Sequence, residues 1–140
     1  MLKQLSIYAE NKKGTLENIT GILLENDINI LGSMTDDGAE YGVNRMVVSH
    51  PETALEALTR AGYTCSVKDV IGVEVEDKVG NLNQLLKTLL RMNVNVHYLY
   101  LSFDRRSGLP IMVFCTDDIW EVEDSLRTQG YTVVEAPAMS

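Results

Sequence analysis

Two short loops hold the residues best suited to chemistry. The first reads Glu10-Asn11-Lys12-Lys13-Gly14-Thr15-Leu16 and the second Glu76-Asp77-Lys78-Val79-Gly80-Asn81-Leu82. Each is expected to lead straight into a helix. Backbone N–H groups without an intrahelical partner, together with the helix dipole, favour an anion at such a point. The glycine lets another group approach the backbone closely. Asn11 and Asp77 carry oxygens that accept hydrogen bonds from an ammonium group. Asn29 and Asn95 begin the following strand and are expected to offer an amide to the same space. The combination suits a zwitterion, with its carboxylate on backbone N–H groups and its ammonium on side-chain oxygens. A free amino acid is the simplest such ligand. The same residues also fit a purely structural role, Gly14 and Gly80 as turn glycines and Asn29 and Asn95 as helix-to-strand turn residues.

Other chemistries find little support. His50 and His97 are the two histidines, and no Cys or Asp stands at metal-ligand spacing from either. Cys65 and Cys115 sit in expected strands and lack a CxxC partner, so they read as inert thiols. No serine sits in a GxSxG elbow, and GxGxxG and Walker loops are absent, so neither a catalytic centre nor a cofactor is expected. Asp36-Asp37 reads as a turn and Asp117-Asp118 as a helix start, where the dipole favours acids without any catalysis. The net charge of −8 argues against nucleic acid and anionic membrane as partners, since both need clustered Lys and Arg. No apolar run approaches the roughly 20 residues of a membrane span, and the N-terminus resembles no signal peptide. A cytoplasmic location is the expectation.

The elements that hold these loops come in two copies. Gly80 follows Gly14 by 66 residues, and at the same spacing Asn93-Val94-Asn95-Val96 lies over Asp27-Ile28-Asn29-Ile30. Gly130-Tyr131-Thr132 repeats Gly62-Tyr63-Thr64 at a spacing of 68. Three matches in order indicate duplication. The halves divide as 1–68 and 69–140.

Each half reads as the same series. Leu5, Ile7 and Ala9, then Ile71, Val73 and Val75, alternate with polar residues as half-buried strands do. Leu16, Ile19, Ile22 and Leu23 form one apolar helix face, as do Leu82, Leu85, Leu86 and Leu89. Asn81 with Gln84 has the form of a capping box. Strands are expected at 28–35 and 94–103, and again at 43–49 and 110–115, each pair joined by a turn as a hairpin. Second helices follow, carrying Ala54, Leu55, Leu58 and Ala61 in one half and Ile119, Val122 and Leu126 in the other, with Gly62 and Gly130 as stops. Closing strands are expected at 63–67 and 131–135. The order βαββαβ, twice, predicts an α+β protein of two tandem ferredoxin-like domains, each a four-stranded antiparallel sheet with two helices on one face. In the strand at 94–103, Val94, Val96, Tyr98 and Tyr100 alternate with Leu99, Leu101 and Phe103, so both faces of that sheet are expected to be covered.

The repeated loop resembles that of the ACT domains, small regulatory modules attached to amino-acid biosynthetic enzymes. The family pattern of Asn or Asp, a variable residue, Pro, Gly and an apolar position is met except that Lys13 and Val79 replace the Pro. The family's Asn-Ile after the first helix appears as Asn29-Ile30 and Asn95-Val96. In similar serine-binding members the loop Asn and the Asn after the helix bind the effector, which corresponds to Asn11 and Asn29; the second copy offers Asp77 and Asn95. The resemblance implies ligands bound where one module's loop and helix meet a neighbouring module, a homodimer, and a signal passed to a partner enzyme.

The leading functional reading is thus a non-catalytic, free-standing amino-acid-binding regulator. The alternative is a ligand-free interaction subunit similar to the small subunit of acetolactate synthase. An acylphosphatase-like enzyme needs an anion-binding Arg that the loops lack, and an RNA-binding module lacks the strand aromatics and the charge.

Overall fold

The structure, a computed structural model, describes residues 1–37 and 41–135. The chain divides into two compact units, Lys3–Lys68 and the residues from Asp69 on together with Met1–Leu2. The first unit contains β1 (Leu2–Ala9, from its second residue), α1 (Thr15–Glu25), β2 (Ile30–Asp37), β3 (Gly42–Val48) and α2 (Pro51–Arg60). β4 (Thr64–Glu74) crosses the division, so its first half closes the first unit and its second half opens the next. The second unit continues with α3 (Asn81–Arg91), β5 (Tyr98–Phe103), β6 (Pro110–Cys115) and α4 (Ile119–Thr128). The expected tandem of ferredoxin-like βαββαβ units is the observed architecture.

In the first unit the strand order is β2-β3-β1-β4, and β3 pairs antiparallel with both β1 and β2. Alternation of apolar residues along β1 and β3 turns Leu5, Ile7, Met46 and Val48 toward the helices, where they meet Ile19, Leu23, Ala54 and Leu58. In the second unit the order is β4-β6-β5, with β6 antiparallel to both neighbours. Ile71, Val73, Met112 and Phe114 pack there on Leu85, Leu89, Val122 and Leu126. Gly62 and Gly130 end α2 and α4 at φ +96° and +92°, as expected of helix-stopping glycines.

Several expectations need correction. The closing strand at 131–135 is reduced to one bridge, Val73 to Val133, flanked by Glu74 N–H to Thr132 O at 3.0 Å and Val134 N–H to Gly72 O at 2.7 Å. The strand expected at 94–103 begins at Tyr98. Residues 94–97 therefore do not share its alternation, and Val94 and Val96 pack on the same core as Leu99. On the other face of this sheet Tyr100, Ile111, Val113 and Cys115 are buried, as a doubly covered sheet requires. Leu101 and Phe103, however, are exposed. Arg105 lies 4.4 Å over the Phe103 ring and shields part of it. Asp36 and Asp37 are not turn residues but pair with Val43 and Gly42 in the β2–β3 ladder; Gly38 lies outside the described residues. No capping box forms at Asn81, because the cap position of α3 belongs to Gly80. Finally, Leu16, Leu82 and Leu86 are exposed although their spacing assigned them to the core. Each lies on the flank of its helix, whose buried line runs through Ile19 and Leu23, or Leu85 and Leu89.

In the second unit the Met1 amine stands 2.9 Å from a carboxylate oxygen of buried Glu123 and 2.9 Å from Glu135. Arg127 joins this group through Glu135 at 2.9 Å. A buried carboxylate needs such a partner, since an unpaired charge is strongly disfavoured away from water.

Candidate functional site

The two loops fold alike, hydrogen bond for hydrogen bond. In the first, Lys12 N–H donates to Glu10 O at 3.0 Å and Thr15 N–H to Lys12 O at 3.1 Å. In the second, Lys78 N–H donates to Glu76 O at 2.9 Å and Asn81 N–H to Lys78 O at 3.2 Å. The first helical side chain then ties the loop back to its strand: Thr15 Oγ1 donates to Glu10 O and Asn81 Nδ2 to Glu76 O, each at 3.1 Å. Asn81 thus acts as a strap on the loop rather than as a cap. Gly14 and Gly80 adopt φ +91° and +89°, the left-handed region that only glycine occupies without strain. An added Cβ would meet nothing within 4 Å at either, so the glycine is required by backbone conformation and not by crowding. Apart from the Thr15 and Asn81 N–H groups, which the loops themselves engage, the first-turn N–H groups of α1 and α3 have no intrahelical acceptor.

Asn11, Lys12, Lys13, Asp77, Lys78 and Val79 are all exposed. Lys12 approaches Glu10 at 3.7 Å and Lys78 approaches Glu76 at 2.7 Å. The hydrogen bond from Lys78 holds the Glu76 carboxyl below its ordinary range, and Glu76 raises Lys78 in return. The first loop lies close to β3: a Cβ on Gly42 would stand 3.2 Å from Asn11 Cβ and 3.1 Å from Asp36 O.

Within one unit the structure does not bring the loop and the second Asn together. Asn11 follows Ala9, which pairs with Gly42, whereas Asn29 precedes Ile30, which pairs with Val48 at the opposite end of β3. The intervening α1 has 11 residues, a length of about 16 Å. The Asn29 backbone is engaged with Ser49, donating to Ser49 Oγ at 2.9 Å and accepting from Ser49 N–H at 3.0 Å. The second unit repeats the separation. Asp77 follows the end of β4 whose Glu74 pairs with Ile111, while Asn95 precedes Tyr98, which pairs with Cys115. The expectation of one shared space fails within a unit because a helix of full length separates its two ends.

Two cavities adjoin these residues. One of about 360 Å3 is walled by Tyr8, Ala9, Glu10, Tyr41 and Thr64 beside the first loop. Its rings meet edge to face at 6.3 Å. Tyr8 and Tyr41 are not among the residues expected from the sequence, although one is an aromatic just before the loop and the other an aromatic just before the glycine of the neighbouring strand. The other cavity, about 250 Å3, gathers Asn93, Asn95, Asp117, Asp118 and Glu121 at the start of α4. His97 lies 3.3 Å from Asp117 there. His50 is the N-cap residue of α2, and its Nδ1 lies 3.0 Å from Ser49 Oγ. Among the described residues no cluster of His, Cys, Asp and Glu is arranged to hold a metal ion. Nor is any described helix long and apolar enough to cross a membrane.

The comparisons agree with this fold. The family model described as an ACT domain pair matches residues 1–136. A solved protein from Bacteroides thetaiotaomicron is 27% identical, with a TM-score of 0.89 over 99% of this chain and 94% of its own. The ligand-free regulatory subunit of aspartate kinase from Thermus thermophilus is 16% identical, with a TM-score of 0.67 over 89% of this chain and 87% of its own. Its counterpart from Thermus flavus, also 16% identical, has a TM-score of 0.65 over 89% and 88%. No curated protein matches the chain.

Proposed function

The chain belongs to the family of paired ACT domains, and from that premise we propose that it is a non-catalytic regulator that binds a free amino acid and passes its presence to an enzyme of amino-acid metabolism. The family is regulatory rather than catalytic. The observation that carries the reading is the twice-built loop. Each copy presents first-turn N–H groups to a carboxylate and an Asn11 or Asp77 oxygen to an ammonium, behind a left-handed glycine that leaves the approach open. In this reading the modules are residues 1–68 and 69–140, and the ligand residues are those of the loops together with Asn29 and Asn95.

Because Asn11 and Asn29 lie at opposite ends of one sheet, a ligand touching a loop and a strand-entry Asn must sit between two modules. A homodimer supplies such a neighbour. Tyr8 and Tyr41 then offer ring faces beside the ammonium of the first site. The likeness to aspartate kinase regulatory subunits supports an amino-acid effector and a biosynthetic enzyme as partner, in the cytoplasm. Calorimetry with each free amino acid tests the reading. One should bind, with affinity lost in Asn11→Ala or Asp77→Ala. A ligand at ~100 times its Kd adds about 2.7 kcal/mol to stability, so a thermal-shift screen finds it first. A protein that binds none of them refutes the sensor reading and leaves the ligand-free interaction subunit.

A further inference from the structure

The cavity at Tyr8 and Tyr41 opens on the side of the first sheet away from its helices. Ala9 and Cys65 pack into the core that this sheet shares with α1 and α2. Side chains alternate along a strand, so Tyr8 and Thr64 stand on the opposite face. Glu10 and Tyr41 complete the wall there. The N-terminus of α1 lies on the helix side, and an amino acid seated on it leaves room in this cavity. The volume of about 360 Å3 falls within the roughly 300–1,000 Å3 of small-molecule sites.

The chemistry of the wall has one sign. Tyr8 and Tyr41 meet edge to face, with centroids 6.3 Å apart and planes at 73°, so their faces form a corner. A ring face is electrostatically negative. Glu10 adds a carboxylate, and none of the described lining residues is basic. Lys12 approaches that carboxylate at 3.7 Å, but both side chains are well exposed, and such a surface pair holds with little energy against a competitor. A single carboxylate offers too few ligands for a metal ion. A cation whose charge is spread over methyl groups or a planar guanidinium is weakly hydrated and settles on ring faces.

The repeat supplies an independent sign. Tyr8 is 40% and Tyr41 54% exposed, so neither ring fills a core. Glu74 stands at the equivalent of Tyr8. Val75, the equivalent of Ala9, donates its N–H to Pro110 O at 3.0 Å where Ala9 pairs with Gly42, so Leu109 takes the place of Tyr41. The second half thus builds the same strands without the aromatic corner. The fold does not require the two rings.

We propose that this corner is a binding site for a small organic cation, an alkylated ammonium or a guanidinium compound, separate from the amino-acid site of the loop. The cation rests on the faces of Tyr8 and Tyr41, with Glu10 as its counter-charge.

Proton NMR of tetramethylammonium titrated with the full chain tests this. Its methyl signal should move upfield, as a ring face shifts it, and the shift should saturate. Tert-butanol, a neutral molecule of similar shape, should show neither effect. Tyr8→Phe and Tyr41→Phe should keep the binding, since the ring face remains. Tyr8→Leu and Tyr41→Leu should each weaken it by about two- to thirtyfold, and Glu10→Gln should weaken it as well, with unfolding midpoints showing that each variant is folded. The absence of a saturable shift overturns the site. So does equal binding of tert-butanol, and so do leucine variants that bind like wild type, which means adventitious association elsewhere on an acidic chain. Calorimetry judges the amino-acid reading separately. A chain that binds no amino acid and still holds tetramethylammonium keeps this site, and one that binds an amino acid but no tetramethylammonium loses this site alone.

Discussion

If a loop and a strand-entry Asn complete one site only across two copies, two defective chains should repair each other. The first loop offers Asn11, and the complement in this test is Asn95 of a second copy, the strand-entry Asn of the other unit. Replacing either by Ala removes a hydrogen bond to a charged group of the ligand, worth roughly 1.5–3 kcal/mol, so each variant alone should bind at that site about 10- to 150-fold more weakly. The geometry then sets the outcome of mixing. Asn11 and Asn29 are separated by the roughly 16 Å of α1, as are Asp77 and Asn95 by α3, so neither pair serves one ligand within a module. In an equal mixture of Asn11→Ala and Asn95→Ala chains, half of the dimers are mixed. Each mixed dimer holds one site with both residues intact, so about a quarter of these sites should recover wild-type affinity in a two-fold pair. Isothermal titration reads this as a tight-binding stoichiometry absent from either variant alone. A mixture that has exchanged subunits but shows no tight sites refutes the reasoning.

The remaining predictions concern the scaffold. Gly14→Ala and Gly80→Ala should each cost about 1 kcal/mol, because left-handed strain of roughly 1–2 kcal/mol is offset by a smaller loss of unfolded-state freedom, about 0.4–1 kcal/mol; chemical denaturation checks this. Gly72→Ala should cost more, about 1–3 kcal/mol, since its Cβ would stand 2.6 Å from Leu2 Cδ1 and 3.2 Å from Ile111 Cγ2, both fully buried. Adding Leu2→Ala to that variant should cost less than Leu2→Ala in wild type. The Glu74 carboxyl is pushed above its ordinary 4.5 by burial and then by its hydrogen bond with Asp104. Asp104 is held low by backbone N–H groups of Ser107 and Arg106. Glu74 therefore takes up its proton more readily folded than unfolded. Its contribution is full below 4.5 and is lost as pH rises through its folded value. Urea midpoints of Glu74→Gln should accordingly gain on wild type between acid and neutral pH; an equal difference at both ends contradicts the shift.

Much of the fold was legible because duplication doubles every signal. Period-two apolar residues in β1 and the second half of β4, the glycine stops at Gly62 and Gly130, and the loop before each first helix all carry local causes, and local causes are written in local sequence. The candidate loops were legible for the same reason: a left-handed turn needs glycine, and Gly14 and Gly80 meet that need at equivalent places. What failed were inferences that depend on distance. Leu16, Leu82 and Leu86 share the spacing of core residues, but only the packed helix reveals which edge of an apolar stripe stays in solvent. Val94 and Val96 alternate like a strand, yet residue pairing with β6 begins at Tyr98. Asn29 and Asn95 stand next to a strand in sequence, yet a helix-length away from the loops they were expected to join. The chain alone thus determined the loop residues proposed to receive an amino acid and that they come twice. Tertiary structure decided that no module assembles the set by itself, because the helix that presents the loop at one end of the sheet delivers the second Asn to the other.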